Sequence, residues 1–132
     1  MEPVMKPDIL VIEDNEQNMY LLTFLLEKNG YSVIQAEDGI RGLAAANAHK
    51  PMVIILDIQL PGMNGYEVAG RLKNNTVLGH IPLIAVTSYA MPGDREKAMA
   101  AGCTGYIEKP IDPETFIRDF QSFLPDNFVR KG

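Results

Sequence analysis

Acidic, hydroxyl and basic side chains recur where apolar runs end. Glu13 and Asp14 follow Ile9–Ile12, Asp57 follows Val53–Leu56, Thr87 and Ser88 follow the run from Pro82 to Val86, and Lys109 lies just beyond Thr104–Ile107. If each run is a strand of one parallel sheet, these groups converge at the strand ends, where open α/β sheets bind ligands. Three carboxylates in one pocket repel one another unless a cation neutralises them. All-oxygen ligation without a neighbouring Cys or His favours a hard ion such as Mg²⁺, held by one or two carboxylates together with a phosphate. Asp57, alone at the end of the most hydrophobic run, is then a candidate nucleophile that forms an acyl phosphate. Lys109 is the candidate counter-charge for the incoming phosphoryl group, and Thr87 could donate its hydroxyl to a phosphoryl oxygen. Any one acid after a strand is ordinarily a helix cap or a solvated loop residue; it is the combination that points to chemistry.

The elements that must position these groups alternate along the chain. Ile9–Ile12 is continuous rather than alternating, with three β-branched residues in four, and reads as a strand buried on both faces. Asn15 can cap a helix over about 16–29, closed by Gly30. A weaker strand spans Ser32 to Ala36, and an alanine-rich helix spans about 40–48, opened by Asp38-Gly39. The central strand Val53–Asp57 leads into a loop punctuated by Pro61, Gly62 and Gly65, then a helix over about 66–74. Pro82–Thr87 is the fourth strand, its proline at the first position. A helix from Pro92 or Gly93 to Ala101 and a short strand, Thr104–Ile107, follow. Asp112 is expected to cap a last helix, with Pro113 in its first turn and Phe116, Ile117, Phe120 and Leu124 on one face. Five strands alternating with five helices imply an α/β fold with a parallel sheet and right-handed crossovers.

Composition excludes several classes. The chain has 132 residues, enough for one domain, and a net charge of -5 with scattered Lys and Arg, which argues against neutralising nucleic-acid phosphates. No apolar run approaches a membrane span, and Met1–Pro7 lacks the core of a signal peptide, so the expected location is cytoplasmic. Cys103 is the one cysteine, and its small neighbours suggest a tight packed place rather than a reactive thiol. His49 and His80 have no partners at zinc-site spacing. No glycine-rich phosphate loop or dinucleotide fingerprint occurs.

Glu13-Asp14, Asp57, Thr87 and Lys109-Pro110, together with the segment Leu56–Gly65 reading Leu-Asp-Ile-Gln-Leu-Pro-Gly-Met-Asn-Gly, resemble the receiver domain of two-component response regulators, the CheY-like family. The resemblance covers about residues 8–124, leaving 1–7 as a flexible lead and 125–132 as a tail. It implies a doubly wound, three-layer (βα)5 fold with a five-stranded parallel sheet of order 2-1-3-4-5. It also implies that Asp57 accepts a phosphoryl group from the phosphohistidine of a sensor histidine kinase or phosphotransfer protein, making the chain chiefly a signalling switch that catalyses its own phosphorylation and dephosphorylation. Mg²⁺ would be bound by Asp14, Asp57 and the backbone carbonyl of Gln59, with Glu13 acting through metal-bound water. Thr87 would move toward the phosphoryl group, Lys109 would pair with it beside a cis peptide bond to Pro110, and Tyr106 matches an aromatic that turns inward. That movement would couple Asp57 to a protein-binding face of the fourth helix, fifth strand and fifth helix.

Gln59, Ser88 and Tyr89 stand at positions that vary within the family and modulate the site. The bulk of Tyr89 would hinder an in-line water and prolong the phosphorylated state, whereas Ser88 leaves a donor histidine room to approach. The stretches His80–Asp94 and Ala101–Ile111 are similar to single-domain regulators of the DivK type and to receivers at the C-termini of hybrid sensor kinases. A chain starting at Met1 favours the single-domain form, with output through a partner protein and no direct nucleic-acid contact. Two alternatives stay open: a phosphorylation-independent scaffold, and a small Mg²⁺-dependent phosphohydrolase working through an aspartyl phosphate.

Overall fold

A computed structural model describes residues 8–88 and 91–125. The lead 1–7, Tyr89 and the tail from 126 onward lie outside the described residues. Five strands, β1 (Asp8–Ile12), β2 (Ser32–Ala36), β3 (Val53–Asp57), β4 (Leu83–Thr87) and β5 (Gly105–Glu108), alternate with five helices. The helices are α1 (Glu16–Lys28), α2 (Gly39–His49), α3 (Gly65–Lys73), α4 (Asp94–Ala100) and α5 (Phe116–Ser122). All strand pairings are parallel and the order is β2-β1-β3-β4-β5.

Side-chain alternation along each strand divides the core into two layers. Leu10, Ile12, Ile54, Leu56, Leu83 and Ala85 face α2, α3 and α4, packing on Ala46, Val68, Ala69, Leu72 and Ala98. Ile9, Val11, Val53, Ile55, Ile84 and Val86 face α1 and α5, packing on Met19, Leu22, Leu26, Phe116 and Phe120. Covered on both sides, β3 and β4 are buried at every residue, which is why their sequences run continuously apolar up to Asp57 and Thr87.

Local chemistry sets the element ends. The Asn15 side chain accepts from the Asn18 N–H, Asp38 from Arg41 and Asn64 from Glu67, each satisfying an orphan donor of a first helical turn. Gly30, at φ 91°, closes α1 in a conformation that side chains resist. The last helix departs from the sequence expectation. Asp112 accepts from the Glu114 N–H and its carbonyl accepts from Thr115 and Phe116, so it closes a turn, and α5 begins at Phe116. The fifth strand is also shifted by one residue: the Thr104 hydroxyl accepts from the Leu83 N–H at the sheet edge, and the strand runs from Gly105 to Glu108.

Candidate functional site

The reversal of winding between β1 and β3 opens a crevice at their C-terminal ends, the place where doubly wound sheets carry their sites. Glu13 and Asp14 leave β1 there. The Glu13 N–H donates to Ala36 O at 3.0 Å, extending the ladder with β2 by one residue, so that its side chain turns down into the crevice while Asp14 stays exposed. Asp57 is the last residue of β3 and pairs with Val86, which brings Thr87 alongside. Lys109 follows β5, its N–H bonded to Thr87 O at 2.8 Å and its peptide bond to Pro110 cis.

One carboxylate oxygen from each of Glu13, Asp14 and Asp57 lies within 4.8 Å of the others. The Lys109 ammonium lies 2.8 Å from Glu13 Oε1 and 3.2 Å from Asp57 Oδ2. These three charged side chains are almost wholly buried: 1% of Glu13, 3% of Asp57 and 9% of Lys109 reach solvent. Burial pushes the Glu13 carboxyl up to about 7, against the lowering effect of Lys109 and with that of Asp57. Burial alone would lower the Lys109 ammonium, but its pairing with Glu13 and Asp57 outweighs this and holds it above its ordinary value.

Three carboxylates facing one ammonium leave a net deficit of positive charge. Among the described residues no hydrogen-bond donor is aligned on Glu13 Oε1, though it lies beside the ammonium. Beyond Asp14 a cleft of about 340 Å³ is lined by Glu13, Asp14, Glu16 and Glu37 with Met19, Tyr20 and Gln35. This all-oxygen, acid-rich corner fits a small hard dication, which would need water or an incoming ligand to complete its shell. Without such a cation the same charge would repel any phosphate.

The sequence-derived residues are thus mostly brought together, with two arrangements that the sequence did not announce. Glu13, expected to act through metal-bound water, is also the closer partner of Lys109, because the extra ladder bond buries it. Gln59 runs back across the crevice. Its N–H donates to Asp57 Oδ1 at 2.9 Å, its Nε2 donates to Thr87 Oγ1 at 2.5 Å, and its Oε1 accepts from the Ser88 N–H at 2.9 Å. Tyr106 lies apart, half-buried, paired in register with Ala85 and packed against the α2–α3–α4 side of the core. Its phenol is raised above the ordinary value by burial first and then by Asp94 and other acids. His49 and His80 are both exposed, and Cys103 is buried with its thiol pushed up to about 11 by that burial.

Comparison with known proteins gives a consistent picture. The family model for the response regulator receiver domain matches residues 9–121. The polar-differentiation response regulator DivK of Brucella anthropi is 44% identical over 122 residues, covering 92% of this chain and 99% of that protein. Among solved structures, the chemotaxis response regulator CheY4 of Vibrio cholerae superposes with a TM-score of 0.85 at 28% identity, covering 91% of this chain and 100% of that one. The receiver domain of the sensor histidine kinase PA1611 from Pseudomonas aeruginosa, solved with a magnesium ion in its active-site cleft, gives 0.81 at 30% identity over 90% of this chain and 98% of that one.

Proposed function

The chain belongs to the response regulator receiver domain family, and on that premise we propose that residues 8–124 receive a phosphoryl group on Asp57 from a phosphohistidine. The observation that carries this reading is the buried Asp57 carboxylate held 3.2 Å from Lys109 at the end of the central strand. An Asp57 oxygen attacks the phosphorus while the P–N bond to the donor imidazole breaks, and the electron pair leaves with the imidazole nitrogen. Lys109 offsets the negative charge on the equatorial oxygens and keeps the Asp57 carboxylate oriented. Thr87, one residue beyond the partner of Asp57 on β4, is the residue we assign to donate to a phosphoryl oxygen. Asp14, Asp57 and the Gln59 carbonyl are the ligands we assign to Mg²⁺, with Glu13 contributing through water. When bound, the ion supplies the positive charge that lets an anionic phosphodonor enter the acidic cleft.

Receiver domains exchange signals with histidine kinases or phosphotransfer proteins and with downstream partners. For this chain the output surface we assign is α4–β5–α5, reached through Thr87 and Tyr106. Phosphorylation adds charge and acceptor oxygens at the Asp57 end and shifts a pre-existing equilibrium of that face. Among the described residues no helix is long and apolar enough to cross a membrane. The location we propose is cytoplasmic. The test is intact mass after incubation with acetyl phosphate. One added phosphoryl group in the wild type with Mg²⁺, absent with chelator and in Asp57→Asn, is expected. An adduct that survives Asp57→Asn overturns the assignment.

A further inference from the structure

The helix α4 has little of its own to hold it in place. It is seven residues long, its N-cap Gly93 offers no side chain to the first turn, and Ala98 is the residue it buries. A helix that short is marginal without tertiary contacts and opens readily. Lys97 supplies one such contact. Its ammonium stands 4.5 Å from the centre of the Tyr66 ring, in the first turn of α3, within the range at which a ring face attracts a cation. Lys97 is exposed, and among the described residues no carboxylate pairs with its charge. Tyr66 is the fixed end. Half-buried and packed against the core, it follows Gly65, whose N–H donates to Ile58 O at 2.9 Å just beyond β3. Asp94, one turn before Lys97, lies close by as well: burial first, and then the Asp94 charge, raises the Tyr66 phenol above its ordinary value, as it does that of Tyr106.

We infer that the Lys97–Tyr66 contact is a strap that fastens α4 to α3 and sets how often α4 opens from the sheet. The strap ties α4 to the loop carrying the site by a route separate from Thr87 and the end of β4, since Tyr66 is one peptide bond from the residue held to Ile58. It belongs to the resting molecule and does not depend on phosphorylation of Asp57. Its bearing on signalling rests on the reading of α4–β5–α5 as the output surface, which a looser α4 would rearrange more often.

Lys97→Met keeps the length and the apolar stem and removes the charge, Lys97→Arg keeps a cation, and Tyr66→Leu removes the ring face. The readout is native-state amide exchange in chelator, without phosphodonor, at Lys97 and Ala101, whose N–H groups bond to Gly93 O and Lys97 O. Exchange is expected to be about two- to fivefold faster in Lys97→Met than in wild type, the effect of one cation–π contact at an exposed site. Lys97→Arg is expected to keep the wild-type rate, and Lys97→Met to add nothing in the Tyr66→Leu background. The Lys97 methylene protons nearest the ammonium should resonate upfield in wild type, shielded by the ring, and return to ordinary positions in Tyr66→Leu. Unchanged exchange in Lys97→Met, the same acceleration with and without the ring, or exchange in Lys97→Arg as fast as in Lys97→Met overturns the strap. Exchange as expected, with α4 and α5 amides unmoved once Asp57 is phosphorylated, keeps the strap and overturns the output surface.

Discussion

At the residue scale, Lys109 and Cys103 show how burial decides what a charge or a thiol can do. Lys109 is the ammonium that two buried carboxylates share, and Lys109→Ala leaves Glu13 and Asp57 facing each other in a site of low polarity. Breaking a buried pair by removing one partner costs several kcal/mol, so urea unfolding at pH 8 in chelator is expected to show a loss of about 3 kcal/mol. A loss under about 1 kcal/mol would mean that water, not Lys109, compensates the acids. Cys103 carries the opposite lesson. Its thiol is raised from 9.0 to about 11 by burial, partly opposed by Lys73, so it stays protonated and inert at neutral pH. Because the folded value lies above the unfolded one, its contribution to stability is complete below pH 9 and is lost as the pH rises toward 11. Alkylation at pH 8 should be at least about a hundredfold slower in the folded protein than in urea; equal rates would contradict a sealed thiol.

At the element scale, the loop from β3 into α3 carries the site and depends on two adjacent residues. Asn64 caps α3, and Asn64→Ala should cost about 1 kcal/mol in urea unfolding. Gly65 is more demanding: a Cβ there would lie 2.7 Å from Asp57 O and press on the Ile58 backbone. Gly65→Ala is therefore expected to cost about 1–3 kcal/mol, more than loss of the cap, since backbone cannot rotate away as a side chain can. A smaller loss from Gly65→Ala than from Asn64→Ala would show the loop to be pliable. Much of this was legible in the chain itself. Continuous apolar runs marked β1, β3 and β4 because burial on both faces leaves no polar position, and Asn15, Asp38 and the glycines marked helix ends. Asp112 misled because a capping residue also closes an isolated turn, and only the packing of Phe116 decides where the helix begins. The site residues at strand ends were legible as types and spacing. The Glu13–Lys109 pair and the Gln59 bridge were not, because they depend on rotamers and on a single extra ladder bond.

At the scale of the whole molecule, the sheet is a rigid partition between two cores with the charged site at one end. Phe120 of α5 lies edge-on to Tyr31 at 5.5 Å and stacks on Phe116, so aromatics clamp the core layer on the α1–α5 side. If the acids at the other end hold the dication proposed for them, the fold is expected to gain stability from it. At a Mg²⁺ concentration of 100 times its dissociation constant, thermal unfolding should report about 2.7 kcal/mol of added stability relative to chelator. Asp14→Asn should lose most of it; a gain undiminished in Asp14→Asn would place the ion elsewhere. The most direct test of the account as a whole is chemical localisation of the phosphoryl group. Borohydride reduces an aspartyl phosphate to homoserine, which peptide sequencing can place. After acetyl phosphate and Mg²⁺, homoserine at position 57 and at no other aspartate is the result expected, while homoserine at Asp14 or another acid, with Asp57 intact, would contradict it.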